Sequence, residues 1–251
     1  GWMYTSYYPG QFPLTDVTTV PFAGFGDPVV TTNTLWDLYE KYPELQKEWS
    51  NYGKLLDLYG NPGMLFASAK KEIQKPGDVK GLTVRTPAGL VTDYVQALGG
   101  SPIVMGPPDL YEAIQKNNIQ AYIFEPAGIT NFKLEEVTSY FTDLPIYDGA
   151  FGLVINQAKF DGLPQEYQDA ILETTQKAGS LKAAENFKAA AETAKKTIAD
   201  AGVTWIEVAD KDAWVNQAAP MQAAWPASIT VPNFDAKAFL DDAISIANSY
   251  N

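Results

Sequence analysis

Residues 76–125 read PGDVKGLTVRTPAGLVTDYVQALGGSPIVMGPPDLYEAIQKNNIQAYIFE, and the punctuation of this stretch decides the fold. Short apolar runs at 82–84, 102–105 and 119–124 alternate with helical patterns at 90–98 and 109–116, and Gly or Pro marks most of the boundaries. The alternation predicts a β-α-β-α-β unit, hence an α/β fold with a parallel sheet and right-handed crossovers. Open α/β sheets bind their ligands outside the carboxyl ends of the strands. Arg85 follows the first of these strands and Glu125 the third, so both stand where such a sheet binds.

Outward from that core, the pattern stays legible. The first 35 residues interleave Tyr4, Tyr7, Tyr8, Phe12, Phe22 and Phe25 with prolines and glycines, which predicts short strands and loops. Thr34 is a candidate cap for a helix over 35–42, a helical turn follows at 43–47, and 54–59 reads as a buried strand. Residues 150–155 form a further strand ending at Asn156. Pro164 suits a first helical position and Gly202 a stop, and apolar or small residues recur every three or four positions between them, Phe187 included. A continuous helix over about 164–201 would run about 57 Å at ~1.5 Å per residue, more than the ~46 Å width of a compact globule of this length. The molecule is therefore expected to be elongated or two-lobed, with a kink at Gly179-Ser180. A strand at 203–208 and a terminal helix at 235–251 complete the reading.

Composition excludes most chemistry. The chain has neither Cys nor His, which removes thiol nucleophiles, disulfides, histidine-based triads and His/Cys metal sites. A net charge of −12 has the wrong sign for tracking nucleic-acid phosphates or anionic lipid. Residues 213–234 carry no charge, but Asn216, Gln217, Gln222, Asn233 and three prolines exclude a bilayer-spanning helix. Asp210-Lys211-Asp212 lacks the ligand alternation of a calcium loop, and no glycine-rich nucleotide motif occurs. Neither a cofactor nor a metal is expected. Ser68-Ala69-Lys70-Lys71 fits the S-x-x-K pattern of serine acyl-enzymes, but its companion motifs are missing.

Of 18 basic residues only Arg85 is an arginine. A guanidinium is favoured over an ammonium where a planar two-point grip on a carboxylate or phosphate is needed. Two roles stay open from position alone: Arg85 holds a small anionic ligand, or it forms a structural ion pair with Glu125. The N-terminal aromatics likewise divide between core packing and a pocket wall.

Four segments in order carry a family resemblance. Residues 76–87, PGDVKGLTVRTP, are similar to the "lkGlKiRvp" segment of the extracytoplasmic solute-binding subunits of TRAP (tripartite ATP-independent periplasmic) transporters, the DctP family. Leu98-Gly-Gly-Ser-Pro102 resembles its "lGasP" and residues 109–115 its "evYtALq". Residues 151–164 resemble its "flvmNkakfdsLP", which leads into the long helix. The sequence departs at 118–121, where the family's "GxvDg" reads Asn-Ile-Gln-Ala, and at Phe124-Glu125, where the family often has a polar residue.

The resemblance implies a two-lobed type II periplasmic-binding-protein fold closing by a hinge, with the long helix spanning both lobes. Lobe I would comprise 1–62 and 152–215, and lobe II 63–151 and 216–251. The chain is expected to lack the first part of the N-terminal lobe. It implies that Arg85 binds the ligand carboxylate, with Tyr4 and Tyr7 from the opposite lobe and Phe124 and Glu125 after the third strand beside it. The expected function is capture of a small organic acid in the periplasm for integral membrane TRAP permease subunits, by a monomer without catalysis. The ligand would be a monocarboxylate with an apolar or aromatic body, or an amino or hydroxy acid. A signal peptide is expected to have been removed or to lie upstream of Gly1-Trp2-Met3-Tyr4. The rival readings are a Ser68/Lys71 hydrolase and a ligand-binding sensor or scaffold without a transport role.

Overall fold

A computed structural model describes residues 1–250 of the chain. Strand β1 (Trp2–Tyr4) enters two 3-10 turns (Thr5–Tyr7 and Thr15–Thr19), then come helices α1 (Pro28–Lys41) and α2 (Pro43–Ser50) and strand β2 (Lys54–Gly60). Next are β3 (Leu65–Ser68), β4 (Thr83–Thr86), α3 (Leu90–Ala97), β5 (Ser101–Val104), α4 (Leu110–Gln115), β6 (Ala121–Phe124) and α5 (Pro126–Asn131). The chain continues through β7 (Tyr140–Asp143), β8 (Ala150–Ile155), α6 (Gln157–Asp161), α7 (Gln165–Thr174) and α8 (Gln176–Asp200). It ends with β9 (Thr204–Glu207), α9 (Lys211–Ser228) and α10 (Ala236–Tyr250). The expected terminal helix is present, and its last residue, Asn251, lies outside the described residues.

Two sheets form, each with its own apolar core. One has the order β1-β8-β2 and is antiparallel. The other, β5-β4-β6-β3-β7-β9, keeps β4 parallel to β5 and β6, as the β-α-β-α-β reading requires. Strand β3, which the sequence pattern did not mark, enters antiparallel between β6 and β7. Residues 61–64 and 144–149 cross from one sheet to the other, and Met64 and Tyr147 bridge them side by side. This is a two-lobed type II arrangement, and α8 packs on α1 and β2 of one lobe and on α5 of the other.

The expected lobe boundaries need correction. Strand β9, placed in lobe I by the 152–215 assignment, pairs with β7 in the six-stranded sheet. Residues 216–251, assigned to lobe II, include α10, whose Phe239, Leu240, Ala243 and Ala247 are buried with Leu35 and Trp36 of α1. Helix α9 joins both cores, with Trp214 in one and Trp225 in the other. Its interior prolines, Pro220 and Pro226, hid it from the sequence pattern.

Two local readings also change. The cap of α1 is Asp27, whose carboxylate accepts from Val29 and Val30 N–H with Pro28 at the first position, while the buried Thr34 hydroxyl donates to Val30 O. The predicted single helix is two, and the break falls at Thr175-Gln176, where Gln176 takes φ 59°. That break lets the Gln176 amide donate to the carbonyls of Leu55 and Leu56, beside a bulge in β2. Gly179 serves contact rather than a kink, because a Cβ there would overlap Thr174 O and Asp57 Oδ1. Ser180 Oγ in turn accepts from Leu58 N–H at 2.9 Å. Helix α8 alone has 25 residues, about 37 Å at ~1.5 Å each.

Candidate functional site

Arg85 sits in β4 with Ile103 of β5 and Tyr122 of β6 as its register partners, and it is fully buried. Its Nε donates to Met105 O at 2.8 Å and its Nη1 to Ile123 O at 3.1 Å, so the ends of both neighbouring strands fix the guanidinium plane. Nη2 donates to Tyr7 Oη at 2.9 Å, and the cation lies 5.1 Å from the centroid of the Phe124 ring. No carboxylate is within ion-pair distance of Arg85 among the described residues. A fully buried cation with only neutral acceptors is costly unless an anion joins it.

Glu125 does not supply that anion, so the structural ion pair with Arg85 is excluded as a reading. Its carboxylate caps α5, accepting from Ala127 N–H at 2.6 Å and Gly128 N–H at 2.5 Å. The cap needs glycine at 128, because a Cβ there would strike both Glu125 Oε1 and the Phe124 ring. Burial pushes the Glu125 carboxyl up to about 7, against the pull of its two backbone donors.

A cavity of about 400 Å³ lies between the lobes. Tyr4, Tyr7, Phe124 and Glu125, four of the five residues singled out from the sequence, line it. Arg85 does not: it lies one side chain behind the wall formed by Tyr7 and Phe124. Tyr7 is 39% exposed and packs edge-on against Tyr4, with ring centroids 5.3 Å apart.

Sequence reasoning missed much of the aromatic wall. Phe151 of β8 stacks on Trp2 at 4.7 Å, touches Tyr4 at 4.8 Å and meets Phe187 at 5.6 Å. Trp2 is tied to the same wall by its indole N–H, which donates to Tyr59 Oη at 2.7 Å. Phe187 falls on the apolar stripe of the sequence pattern, yet it is the only aromatic residue in the alanine-rich α8, and that contrast is the signal that sets it apart. Asn61, Asn131 and Glu125 add polar side chains to a lining that is otherwise mostly aromatic and apolar, its tyrosines Tyr4, Tyr7 and Tyr8 carrying hydroxyls.

Ser68 and Lys71 do not form a dyad. Ser68 Oγ is buried, donates to Gln120 O and accepts from the Lys71 backbone N–H, while Lys71 Nζ reaches Asp78 O at 2.5 Å. The pattern closes a turn after β3. Among the described residues there is no cluster of acidic side chains placed to hold a metal, and no helix is long and apolar enough to cross a membrane.

Two lobes joined by crossing segments, with an aromatic cavity between them and a buried cation behind it, define the architecture of a solute-binding protein. The profile of the bacterial extracellular solute-binding proteins, family 7 (DctP), matches residues 1–227, and the chain belongs to that family. The 2,3-diketo-L-gulonate-binding periplasmic protein YiaO of Escherichia coli (strain K12) is 28% identical over 214 residues, 82% of this chain and 62% of that protein. The chain spans less than two thirds of the length of the curated relatives it matches.

Solved structures share the fold. A marine metagenome TRAP solute binding protein specific for aromatic acid ligands, in complex with metahydroxyphenylacetate, superposes with a TM-score of 0.92 at 21% identity, covering 100% of this chain and 79% of that one. A TRAP periplasmic solute binding protein from Bordetella bronchiseptica with bound mandelate gives a TM-score of 0.89 at 24% identity, with coverage of 100% and 80%.

Proposed function

We propose that this protein captures a small organic acid in the periplasm and delivers it to the membrane subunits of a TRAP-type secondary transporter, without catalysis. The observation that carries the reading is Arg85, fully buried beside an aromatic cavity with no carboxylate partner among the described residues. A ligand carboxylate completes that site by a charge-assisted, two-point contact.

The body of the ligand is apolar or aromatic, because Trp2, Tyr4, Phe124, Phe151 and Phe187 offer ring faces and no second cation. A dicarboxylate would bring its second charge towards Glu125. Hydroxy and amino acids remain compatible, since Glu125 and Asn131 can accept from a hydroxyl or ammonium group. The aromatic acids bound by two structural neighbours support the same class.

The test is a thermal-shift screen of aromatic monocarboxylates, hydroxy acids, amino acids and dicarboxylates, followed by calorimetric titration of the best binder. A ligand that binds only the folded state at one hundred times its Kd adds ~2.7 kcal/mol. Arg85→Lys should weaken binding, and Arg85→Ala should weaken it by about thirty-fold to several-thousand-fold, equivalent to about 2–5 kcal/mol. Absence of any hit, or a best binder that Arg85→Ala holds as tightly as the parent, would overturn the reading.

A further inference from the structure

The first crossing segment brings a buried amide to the cavity between the lobes. Asn61 is 2% exposed and lines that cavity together with Met64. Two bonds to Gly149, on the returning segment, fix it in place. Its backbone N–H donates to Gly149 O at 3.1 Å, and its side-chain Oδ1 accepts from Gly149 N–H at 2.5 Å. A backbone N–H can only donate, so the amide oxygen must be the atom turned to Gly149, and the amide nitrogen points away from it.

That nitrogen is poorly served by the chain. Nδ2 carries two N–H donors, and the acceptor it meets among the described residues is the Met64 thioether, 3.2 Å away. A thioether is a weak acceptor, and a buried amide donor without a good partner is costly. Contacts lead from this amide to the buried cation: Gly149 lies against the Tyr4 hydroxyl, Tyr4 packs edge-on against Tyr7, and Tyr7 accepts from Arg85. The cavity wall thus offers a neutral donor in addition to the cation behind it.

We propose that Asn61 is a specificity-determining residue whose Nδ2 donates to an oxygen acceptor on the body of the ligand, so that the captured acid is a hydroxy, alkoxy or oxo acid. The inference rests on the reading of Arg85 given above: the guanidinium takes the carboxylate, and the amide takes the further oxygen. An ammonium at that point has no lone pair to offer, and a methyl group would leave the amide with sulfur alone. Asn61 needs no rearrangement to meet the ligand, since it already lines the cavity.

The experiment titrates the parent and Asn61→Leu calorimetrically with 2-, 3- and 4-hydroxyphenylacetate and with the matching methylphenylacetates, which keep the size and lose the oxygen. The readout is the affinity ratio within each pair, in which any effect of the substitution on folding cancels. In the parent the hydroxy acid of the best pair should bind about three- to tenfold more tightly, as one neutral hydrogen bond predicts, and in Asn61→Leu the ratio should fall to about one. Should Asn61→Leu fail to fold for want of the Gly149 bond, Asn61→Asp keeps that acceptor and, ionised at pH 9, offers no donor. The pair is then the methoxyphenylacetate and ethylphenylacetate of the best isomer, because an ether oxygen only accepts, and the preference for the methoxy acid should be lost. A parent that binds neither member of any pair, or binds both equally, overturns the proposal. So does a parent-like ratio in the variant, including a uniform loss of affinity, which would put the carboxylate itself on Asn61. Each of these leaves the function standing, whereas undiminished binding of the tightest carboxylate from the screen by Arg85→Lys removes the function reading itself.

Discussion

Arg85 Nη2 donates to Tyr7 Oη at 2.9 Å across 78 residues of sequence, so a strand of the six-stranded sheet is tied to the turn that follows the first strand of the other lobe. Tyr7 gives the guanidinium a neutral acceptor where the proposed ligand brings a charged one. Tyr7→Phe leaves that N–H without its partner, at a cost of about 1–3 kcal/mol. The ligand-free melting temperature should fall, and a bound carboxylate should restore it, so the ligand-induced shift becomes larger than in the parent. A smaller shift in Tyr7→Phe would mean that the hydroxyl donates to the ligand instead.

Glu125 gives binding a pH dependence. Its carboxyl, pushed up to about 7 by burial, lines the cavity and is neutral below that value and anionic above it. An anionic ligand should therefore bind more weakly at pH 8 than at pH 6, although the ligand itself stays ionised throughout. Glu125→Gln keeps an oxygen for the α5 cap and should bind with a flat profile. Titration calorimetry at the two pH values decides, and equal affinities for the parent would remove Glu125 from the ligand's surroundings.

Stability should also fall as pH rises. Burial pushes Asp16, Glu48 and Glu125 up to about 7 and Asp148 up to about 8. Unfolded, these groups titrate near 4. Between those limits the native state holds protons that the unfolded chain has released, which favours folding at low pH and less so as pH rises. The melting temperature should be higher at pH 5.5 than at pH 8.5. In Asp148→Asn, which keeps an acceptor for the Thr31 hydroxyl, the decline should be shallower. A melting temperature that rises over this range would contradict the assignment.

Gly149 is placed by contact with the site. A Cβ there would fall inside the Tyr4 ring and hydroxyl, so Gly149→Ala must displace Tyr4 from the cavity wall. Destabilisation of about 1–3 kcal/mol is expected from such overpacking, together with weaker ligand binding. Gly77→Ala, with nothing within 4 Å of the added carbon, is the control and should change neither. Parent-like binding by Gly149→Ala would show that the position of Tyr4 is immaterial to the ligand.

Local features of the fold were legible because they are written in short spans of sequence. The parallel β4, β5 and β6 follow from the alternation of apolar runs and helical patterns, and α8 stops before Gly202 because its φ of 86° suits glycine. A lone arginine at the end of a strand pointed to the site for the same reason: its chemistry and its place in the β-α-β-α-β unit are both local facts.

Tertiary structure alone decided which distant groups meet. Residues 65–68 carry no pattern that says they will lie antiparallel between β6 and β7, and nothing in 204–207 names β7 as its partner. Sequence left Glu125 equally able to pair with Arg85 or to stand apart from it, and the choice fell to the cap of α5. Tyr7 reads in the sequence as one aromatic residue among many, and only the packing of the two lobes sets its hydroxyl against the Arg85 guanidinium. Periodicity fixes which face of an element is apolar, but the partner of a buried polar atom depends on segments tens of residues away, packed by a core that no local pattern encodes.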